Sequence, residues 1–397
     1  MNGASDKFEM LIFTPIMKVY LDNAATTPIA QEVLDEMMPY LTENFGNPSS
    51  IHAYGRKAKA AIEKARKTVA KYLNASTSEV FFTGSGTESS NMIIKGAVHH
   101  LGVQRIISSK IEHHCVLHSV EAVEREGVQV DYVKLDKEGR VDYADLERLL
   151  TASDKKTMVS LMHANNEIGT LLDLHRVAEL CEKYGAYFHS DTVQTIGYMP
   201  FDVQALKIHF LSGSAHKFHG PKGVGFVYIN ADAVLKPFMD GGSQERNMRA
   251  GTENVFGIVG LGKALGLAVE YMDANHTYIA GLKQYMIERL NSEIPGIAYN
   301  GDISNGGSNY KVLSVSMPPH SKSELMLFNL DIAGIAASGG SACTSGSEKG
   351  SHVLEAINAP VDRKAIRFSF SKYNTKEEID YTIQALKKML DVPSVAV

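Results

Sequence analysis

Cysteine is scarce in this 397-residue chain: there are three, Cys115, Cys181 and Cys343, and no CxxC or CxxH spacing joins them. Three cannot all pair, which argues against a disulfide-stapled scaffold and for a reducing compartment without structural zinc. A long basic run is also missing. With Lys+Arg 40 against Asp+Glu 45 the net charge is −5, which argues against nucleic acid or an anionic membrane as the main partner. The apolar patch from Met10 to Phe13 lacks a basic flank and is too short for a signal peptide or a span. The most apolar later stretch, Val255 to Met272, is interrupted by Lys263 and rich in Gly and Ala, as a packed core or interface helix would be. These absences predict a cytoplasmic chain. There is no repeat and no low-complexity tract, and 44% hydrophobic with 21% charged residues is the composition of an ordinary globular protein.

What is present is an alternation of short apolar runs with helical periodicity from about residue 79: EVFFT, QRIIS, VQVDYV, TMVSLM, GAYFHSD, IHFLSG and VGFVYI. Strands separated by helices in this way predict an α/β fold with a mainly parallel sheet. Such sheets bind ligands beyond the carboxyl ends of their strands, so the residues just after each run are the places to look for chemistry. Two helices, Ile29 to Leu41 and His52 to Leu73, are expected before the sheet, with FGNPSS as the loop between them. After about residue 272 a long helix, a GDISNGGSN turn, the strands VLSVSM and AIRFSF and a last helix from Lys376 predict a smaller α+β unit.

Three junctions carry chemical types. In FFTGSGTESS, Thr83 to Thr87 lie between strand and helix, where free N–H groups and the helix dipole form an anion seat. The stretch lacks the third glycine of GxGxxG and the lysine of a P-loop, so one phosphate suits it better than a dinucleotide. Taken alone it is equally a plain capped turn. In GAYFHSDTVQ a strand ends on Asp191, with Gln194 three residues on; singly this is a helix cap, but an acid at a strand end can also face a ligand cation. In FLSGSAHKFHGPKG, Ser214, His216 and Lys217 leave another strand, and a lysine held in an apolar site can act as an amine nucleophile. Together these match pyridoxal 5′-phosphate (PLP), which needs a covalent lysine anchor, a carboxylate at its ring nitrogen and a phosphate cradle.

Cys181 sits at helical spacing in VAELCEKYG and reads as core, whereas Cys343 lies in ASGGSACTSGSEKG, a polar loop of small residues suited to a thiolate that works at two places. Cys115 in EHHCVLHS stands among His113, His114 and His118, yet the spacing fits no usual zinc site, so no metal is expected and packing near the cofactor is the default.

The motifs LDNAATTP, FGNPSSIH, FTGSGTES, EHHCVL, HANNEIG, SAHKFHGPKG, GGSQERNMRAGTEN, SGGSACTSGS and IRFSF occur in an order that resembles the cysteine desulfurases, PLP enzymes of the class V aminotransferase group, from Val19 to about Leu386. The resemblance implies the PLP-dependent transferase fold type I: a large domain over 31–272 with a seven-stranded, mainly parallel sheet, and a small α+β domain from 1–30 with 273–397 that carries the Cys343 loop. It implies that Lys217 anchors the cofactor, Asp191 meets the ring nitrogen, Gln194 the ring's phenolic oxygen, and His113 stacks on the ring and moves a proton. Asn166 would touch cofactor or substrate. Gly86, Thr87, Ser214 and His216 would hold the phosphate, with Thr252 reaching it from the second subunit of a homodimer. Arg367 would bind the substrate carboxylate and Cys343 would accept sulfur from L-cysteine, leaving L-alanine and a persulfide for an acceptor protein in iron-sulfur cluster or thiolation pathways.

Two other readings stand beside this one. A selenocysteine lyase or another PLP lyase or aminotransferase of the same fold would share the lysine and aspartate, although Cys343 argues against a plain aminotransferase. A non-catalytic sulfur-transfer scaffold would have no need to keep Lys217, Asp191 and Cys343 together. The segment before Lys18 has no counterpart in the family, which puts the expected start at Met10 or Met17. The ending DVPSVAV lacks the acidic and aromatic tail by which some members dock a scaffold, which leaves the acceptor open.

Overall fold

The computed structural model describes residues 17–340 and 350–392; Cys343 lies outside the described residues. In chain order the elements are β1 (Val19–Tyr20), α1 (Gln31–Thr42), α2 (Ala53–Leu73), β2 (Val80–Thr83), α3 (Gly86–Leu101), β3 (Arg105–Ser108), α4 (His114–Glu124), β4 (Gln129–Tyr132), α5 (Tyr143–Thr151), β5 (Thr157–Ser160), α6 (Leu174–Lys183), β6 (Tyr187–Asp191), α7 (Val203–Leu206), β7 (Phe210–Ser214) and β8 (Gly225–Ile229). They continue as α8 (Val255–Glu270), α9 (Met272–Glu293), β9 (Ala298–Asn300), β10 (Val312–Ser316), α10 (Met326–Ile332), β11 (Ile335–Ala336), α11 (His352–Ala356), β12 (Ala365–Ser369) and α12 (Lys376–Met389).

Seven strands form the central sheet in the order β2-β8-β7-β6-β5-β3-β4. The pairs β3–β4, β3–β5, β5–β6 and β6–β7 are parallel, while β8 is antiparallel to both β7 and β2. Since β8 reverses twice, β2 runs the same way as β7, and six of the seven carboxyl ends share one edge. The inner strands read as near-continuous apolar runs because helices cover both faces: β3, β5, β7 and β8 are buried at every position, whereas β4, at the edge, is half-buried throughout. A second sheet, β12-β10-β9, is antiparallel, and β1 pairs with β11 in parallel, Val19 against Ile335.

The apolar stretch after Val255 is a buried helix that packs against α1 and α2. Its glycines permit the approach: a Cβ at Gly260 would stand 2.6 Å from Met37 Sδ, and one at Gly262 would stand 2.8 Å from Ala65 Cβ. The helix expected through Met272 instead stops at Glu270, and the chain turns by 76° into α9. Among the described residues no single helix is long and apolar enough to cross a membrane.

Candidate active site

A cavity of about 250 Å³ opens where the strands end. It is lined by Gly86 and Thr87 after β2, His113 after β3, Asn166 after β5, Asp191 and Gln194 at the end of β6, Ser214 at the end of β7, and His216 and Lys217 just after it. Arg367 reaches it from β12 of the other sheet. Ten of the twelve residues expected at the site are therefore in one wall. Thr252 is exposed and lines a separate groove with Thr83, Gly84 and Arg249, so it does not face the cavity of its own chain. Cys343 is the other.

The Lys217 ammonium donates to the carbonyls of Ala24 (2.7 Å) and Ala25 (2.8 Å) in the turn that follows β1. Gln194 Nε2 donates to the same Ala24 carbonyl at 2.9 Å, while its Oε1 is buried with no hydrogen-bond partner among the described residues. Asp191 Oδ1 accepts from Val193 N at 2.9 Å and Ser212 Oγ at 3.4 Å, which fixes the carboxylate at the strand end.

His113 is the N-cap of α4 and its Nδ1 accepts from Cys115 N at 3.2 Å, so a neutral ring carries its proton on Nε2. Burial holds its pKa below the ordinary histidine value, and Lys217 adds to that, while Asp191 pulls the other way. His216 is pushed down to about 4, first by burial and then by Lys217, Lys222 and Lys311, and its Nδ1 lies 3.1 Å from Thr26 Oγ1.

At the anion seat, Ser85 caps α3 by accepting from Glu88 N at 3.2 Å, and Gly86 and Thr87 occupy the first turn, where N–H groups lack intrahelical acceptors. A Cβ at Gly86 would lie 2.6 Å from Val193 Cγ2, so only glycine lets the turn sit this close to the end of β6. Glu88 would repel an anion here, but it is turned aside: its Oε2 accepts from Gly84 N at 2.8 Å and its Oε1 pairs with Arg249 at 2.8 Å.

Three features were not read from the sequence. Asp22 Oδ1 pairs with Arg367 Nη2 at 2.7 Å across 345 positions, and Arg367 Nη1 donates to Asn166 O at 2.9 Å. The Glu88–Arg249 pair is the second. The third concerns Cys115, whose Sγ stands 3.0 Å from His113 Nδ1 and 3.9 Å from Asp191 Oδ2. Spacing within EHHCVLHS suggested neighbouring histidines as its companions; what the fold supplies is Asp191 from β6, and the donor atoms of His113, Cys115 and Asp191 lie within 4.8 Å of one another. Such a grouping has the chemistry of a cation site, and the cofactor reading uses two of its members. Burial and the Asp191 charge raise the Cys115 thiol far above its ordinary pKa, so it is held as the neutral thiol. Cys181 is buried in the core, as expected.

An amine, a carboxylate, a helix N-terminus backed by hydroxyl and imidazole, and a buried amide oxygen with no partner among the described residues make up the donor set that PLP requires, and the residues fit it. The family model described as Aminotransferase class-V matches residues 19–382. The chain is 44% identical over 378 residues to the cysteine desulfurase IscS of Dictyoglomus turgidum, covering 94% of this chain and 95% of that one. Among solved structures, a NifS-like protein superposes with a TM-score of 0.87 at 37% identity over 94% of this chain and all of its own. Another, SspA in complex with cysteine, gives 0.78 at 31% identity over 90% and 100%. The chain belongs to the class V aminotransferases, with PLP as cofactor, and within them to the NifS/IscS-like cysteine desulfurases.

Proposed function

We propose that the chain takes sulfur from L-cysteine, releasing L-alanine and leaving the sulfur as a persulfide on Cys343. The observation that carries this is the single cavity in which the Lys217 amine, the Asp191 carboxylate and the Arg367 guanidinium come together. When bound, PLP draws electrons away from the substrate Cα, so that its proton and then the Cβ–S bond can be given up. Lys217 would hold the cofactor aldehyde and Asp191 its ring nitrogen, while Gly86, Thr87, Ser214 and His216 would hold its phosphate. His216, neutral by burial, serves there as a hydrogen-bonding group.

Arg367 orients the substrate by its carboxylate. Its Nε is buried with no hydrogen-bond partner among the described residues, an open donor on a side chain already fixed by Asp22 and Asn166. His113, with its proton on Nε2 and its ring in the cavity wall, is placed to exchange a proton with substrate or cofactor. The Cys343 sulfur forms a bond to the substrate sulfur as the Cβ–S bond breaks, and Cβ and Cα end protonated as alanine. The persulfide then passes to an acceptor protein with a nucleophilic thiol, in iron-sulfur or thiolation chemistry. Buried unpaired Cys115 and Cys181 support a reducing, cytoplasmic setting.

The test is alanine release from L-cysteine and from L-selenocysteine by the wild type and Lys217→Ala. Release from L-cysteine by the wild type alone is expected. Equal release by Lys217→Ala overturns the assignment, release from selenocysteine alone identifies a selenocysteine lyase, and a purified protein that never takes up the yellow cofactor would be a scaffold.

A further inference from the structure

His113, Cys115 and Asp191 stand together in the wall of the cavity, and Cys115 has no task in the chemistry above. The first two come from one turn at the start of α4, while Asp191 is delivered by β6, 76 positions away from Cys115. Cys115 Sγ lies 3.0 Å from His113 Nδ1 and 3.9 Å from Asp191 Oδ2. Val193 N and Ser212 Oγ both donate to Asp191 Oδ1, so Oδ2 is the oxygen that faces the thiol. Among the described residues no other three histidine, cysteine or acidic donors converge in this way.

The set is one nitrogen, one sulfur and one oxygen, a mixture that suits a borderline-soft divalent cation. Bond lengths of about 2.0 to 2.3 Å around a tetrahedral ion put donor atoms roughly 3.4 to 3.6 Å apart, so the two partners of the sulfur need shifts of only about half an ångström. Cys115 and Asp191 are 9% and 5% exposed. A thiolate and a carboxylate buried side by side repel one another, and a dication between them removes that repulsion and matches their charge. A hard cation such as Mg²⁺ wants an octahedron of oxygens, which this set does not provide. All three residues line the cavity, so water can fill a fourth position. On binding, the thiol gives its proton to solvent and a metal–sulfur bond replaces the S–H bond, while His113 Nδ1 exchanges the Cys115 N–H for the ion. No electron is transferred.

We propose that the chain, before it takes up PLP, holds a thiophilic divalent cation such as Zn²⁺ or Cd²⁺ on His113, Cys115 and Asp191, and that this cation and PLP exclude one another. The exclusion rests on the cofactor reading, in which Asp191 meets the ring nitrogen and His113 stacks on the ring. Both residues must leave the ion to do so. The cation is therefore a rival occupant of the cofactor seat, and a chain that meets it first loads slowly.

The probe is Cd²⁺, whose bond to a thiolate absorbs in the ultraviolet, added to the full chain freed of cofactor. Cys343 is a second thiol, so Cys343→Ser is compared with a variant that carries both Cys343→Ser and Cys115→Ser. Cys343→Ser should bind one Cd²⁺ per chain and show the thiolate band. The double variant should lose the band and bind roughly a hundred-fold more weakly, since even the outer partners of metal ligands are worth about 10- to 100-fold in affinity. In a second arm, PLP is added to both proteins with and without Cd²⁺, and growth of the yellow absorbance is followed. At ten times its Kd, Cd²⁺ leaves about one chain in eleven free, so loading of Cys343→Ser should slow about ten-fold and recover when a chelator is added. The double variant should load at one rate in both conditions, which shows that it is folded and that the metal is not merely sequestering PLP. A band that persists in the double variant, its absence from Cys343→Ser, or equal slowing of both proteins would overturn the proposal. A protein that takes up no PLP under any condition overturns the cofactor reading, while the band still decides the cation site.

Discussion

Arg367 shows how much one side chain at this site is asked to do. Its guanidinium already serves Asp22 and the Asn166 carbonyl, at 2.7 and 2.9 Å, and it is almost fully buried. A lysine ammonium is a single point charge and cannot meet two fixed partners and a substrate carboxylate in three directions. Arg367→Lys should therefore raise KM for L-cysteine by about ten-fold or more, since a lost charged hydrogen bond costs about 1.5 to 3 kcal/mol. Steady-state kinetics with an unchanged KM would refute the carboxylate role. Cys343→Ser separates the two halves of the reaction at the same scale. It leaves Lys217, Asp191 and the phosphate seat intact, so the yellow cofactor and the absorbance change with substrate should survive, whereas alanine release should stop. Cys181→Ser, buried in the core and remote from the cavity wall, should retain activity. Alanine production by Cys343→Ser at the wild-type rate would mean that another group accepts the sulfur.

Between β3 and α4 the chain holds an unusual acid. Glu112 is buried, with Oε1 accepting from Ser109 Oγ at 2.8 Å and Met162 N at 2.9 Å, and its carboxyl is pushed up to about 8, chiefly by burial. The folded-state pKa lies above the unfolded value of about 4.5, so between these two the unfolded chain releases a proton that the folded chain keeps. This group's contribution is present in full below about pH 4.5 and falls as pH rises toward 8. Glu112→Gln keeps the acceptor oxygen and removes the titration. Its Tm relative to wild type should thus improve steadily from pH 5 to pH 8, and a pH-independent difference by calorimetry would contradict the assignment. The elements around Glu112 were legible in the sequence, because each parallel strand is a short apolar run halted by a polar residue. The same pattern located Asp191 and Lys217, whereas His113 came only from the resemblance to the family. Two-residue strands such as Val19–Tyr20 and Ile335–Ala336 carry no periodicity to read, and the break at Tyr271 lies inside a stretch with unbroken helical composition. The Asp22–Arg367 pair left no local trace, since only the folded sheets bring its members together.

At the scale of the whole molecule, Thr252 is the expected phosphate residue that lies outside the cavity of its own chain. Thr252 faces outward in a groove that it shares with Tyr40, Leu41, Phe45 and Phe256. In that groove Phe45 is 72% exposed; its ring stacks on Tyr54, 59% exposed, with centroids 5.8 Å apart, and Ile51 in the same connection between α1 and α2 is 90% exposed, apolar surface that water solvates poorly. The segment leading there is held firmly. Glu245, Arg246 and Asn247 all have positive φ, and a buried two-pronged pair, Arg66 Nη1 and Nη2 to Glu245 at 2.7 and 2.8 Å, keeps them so. A conformation that costs strain in three successive residues makes sense if it presents Thr252 to something. The expected recipient is the phosphate seat of a second copy in a two-fold dimer, where an isologous contact would complete both sites at once. Sedimentation of the loaded protein should show a dimer, and dilution into monomer should release PLP. Ile51→Asp should shift that dissociation to higher concentration, whereas Thr252→Ala should leave the dimer intact and weaken PLP retention by roughly two- to ten-fold, the worth of one hydrogen bond. A monomer that keeps its cofactor and full activity would show that each chain closes its own phosphate site, and the exposed face around Thr252 would then need another occupant.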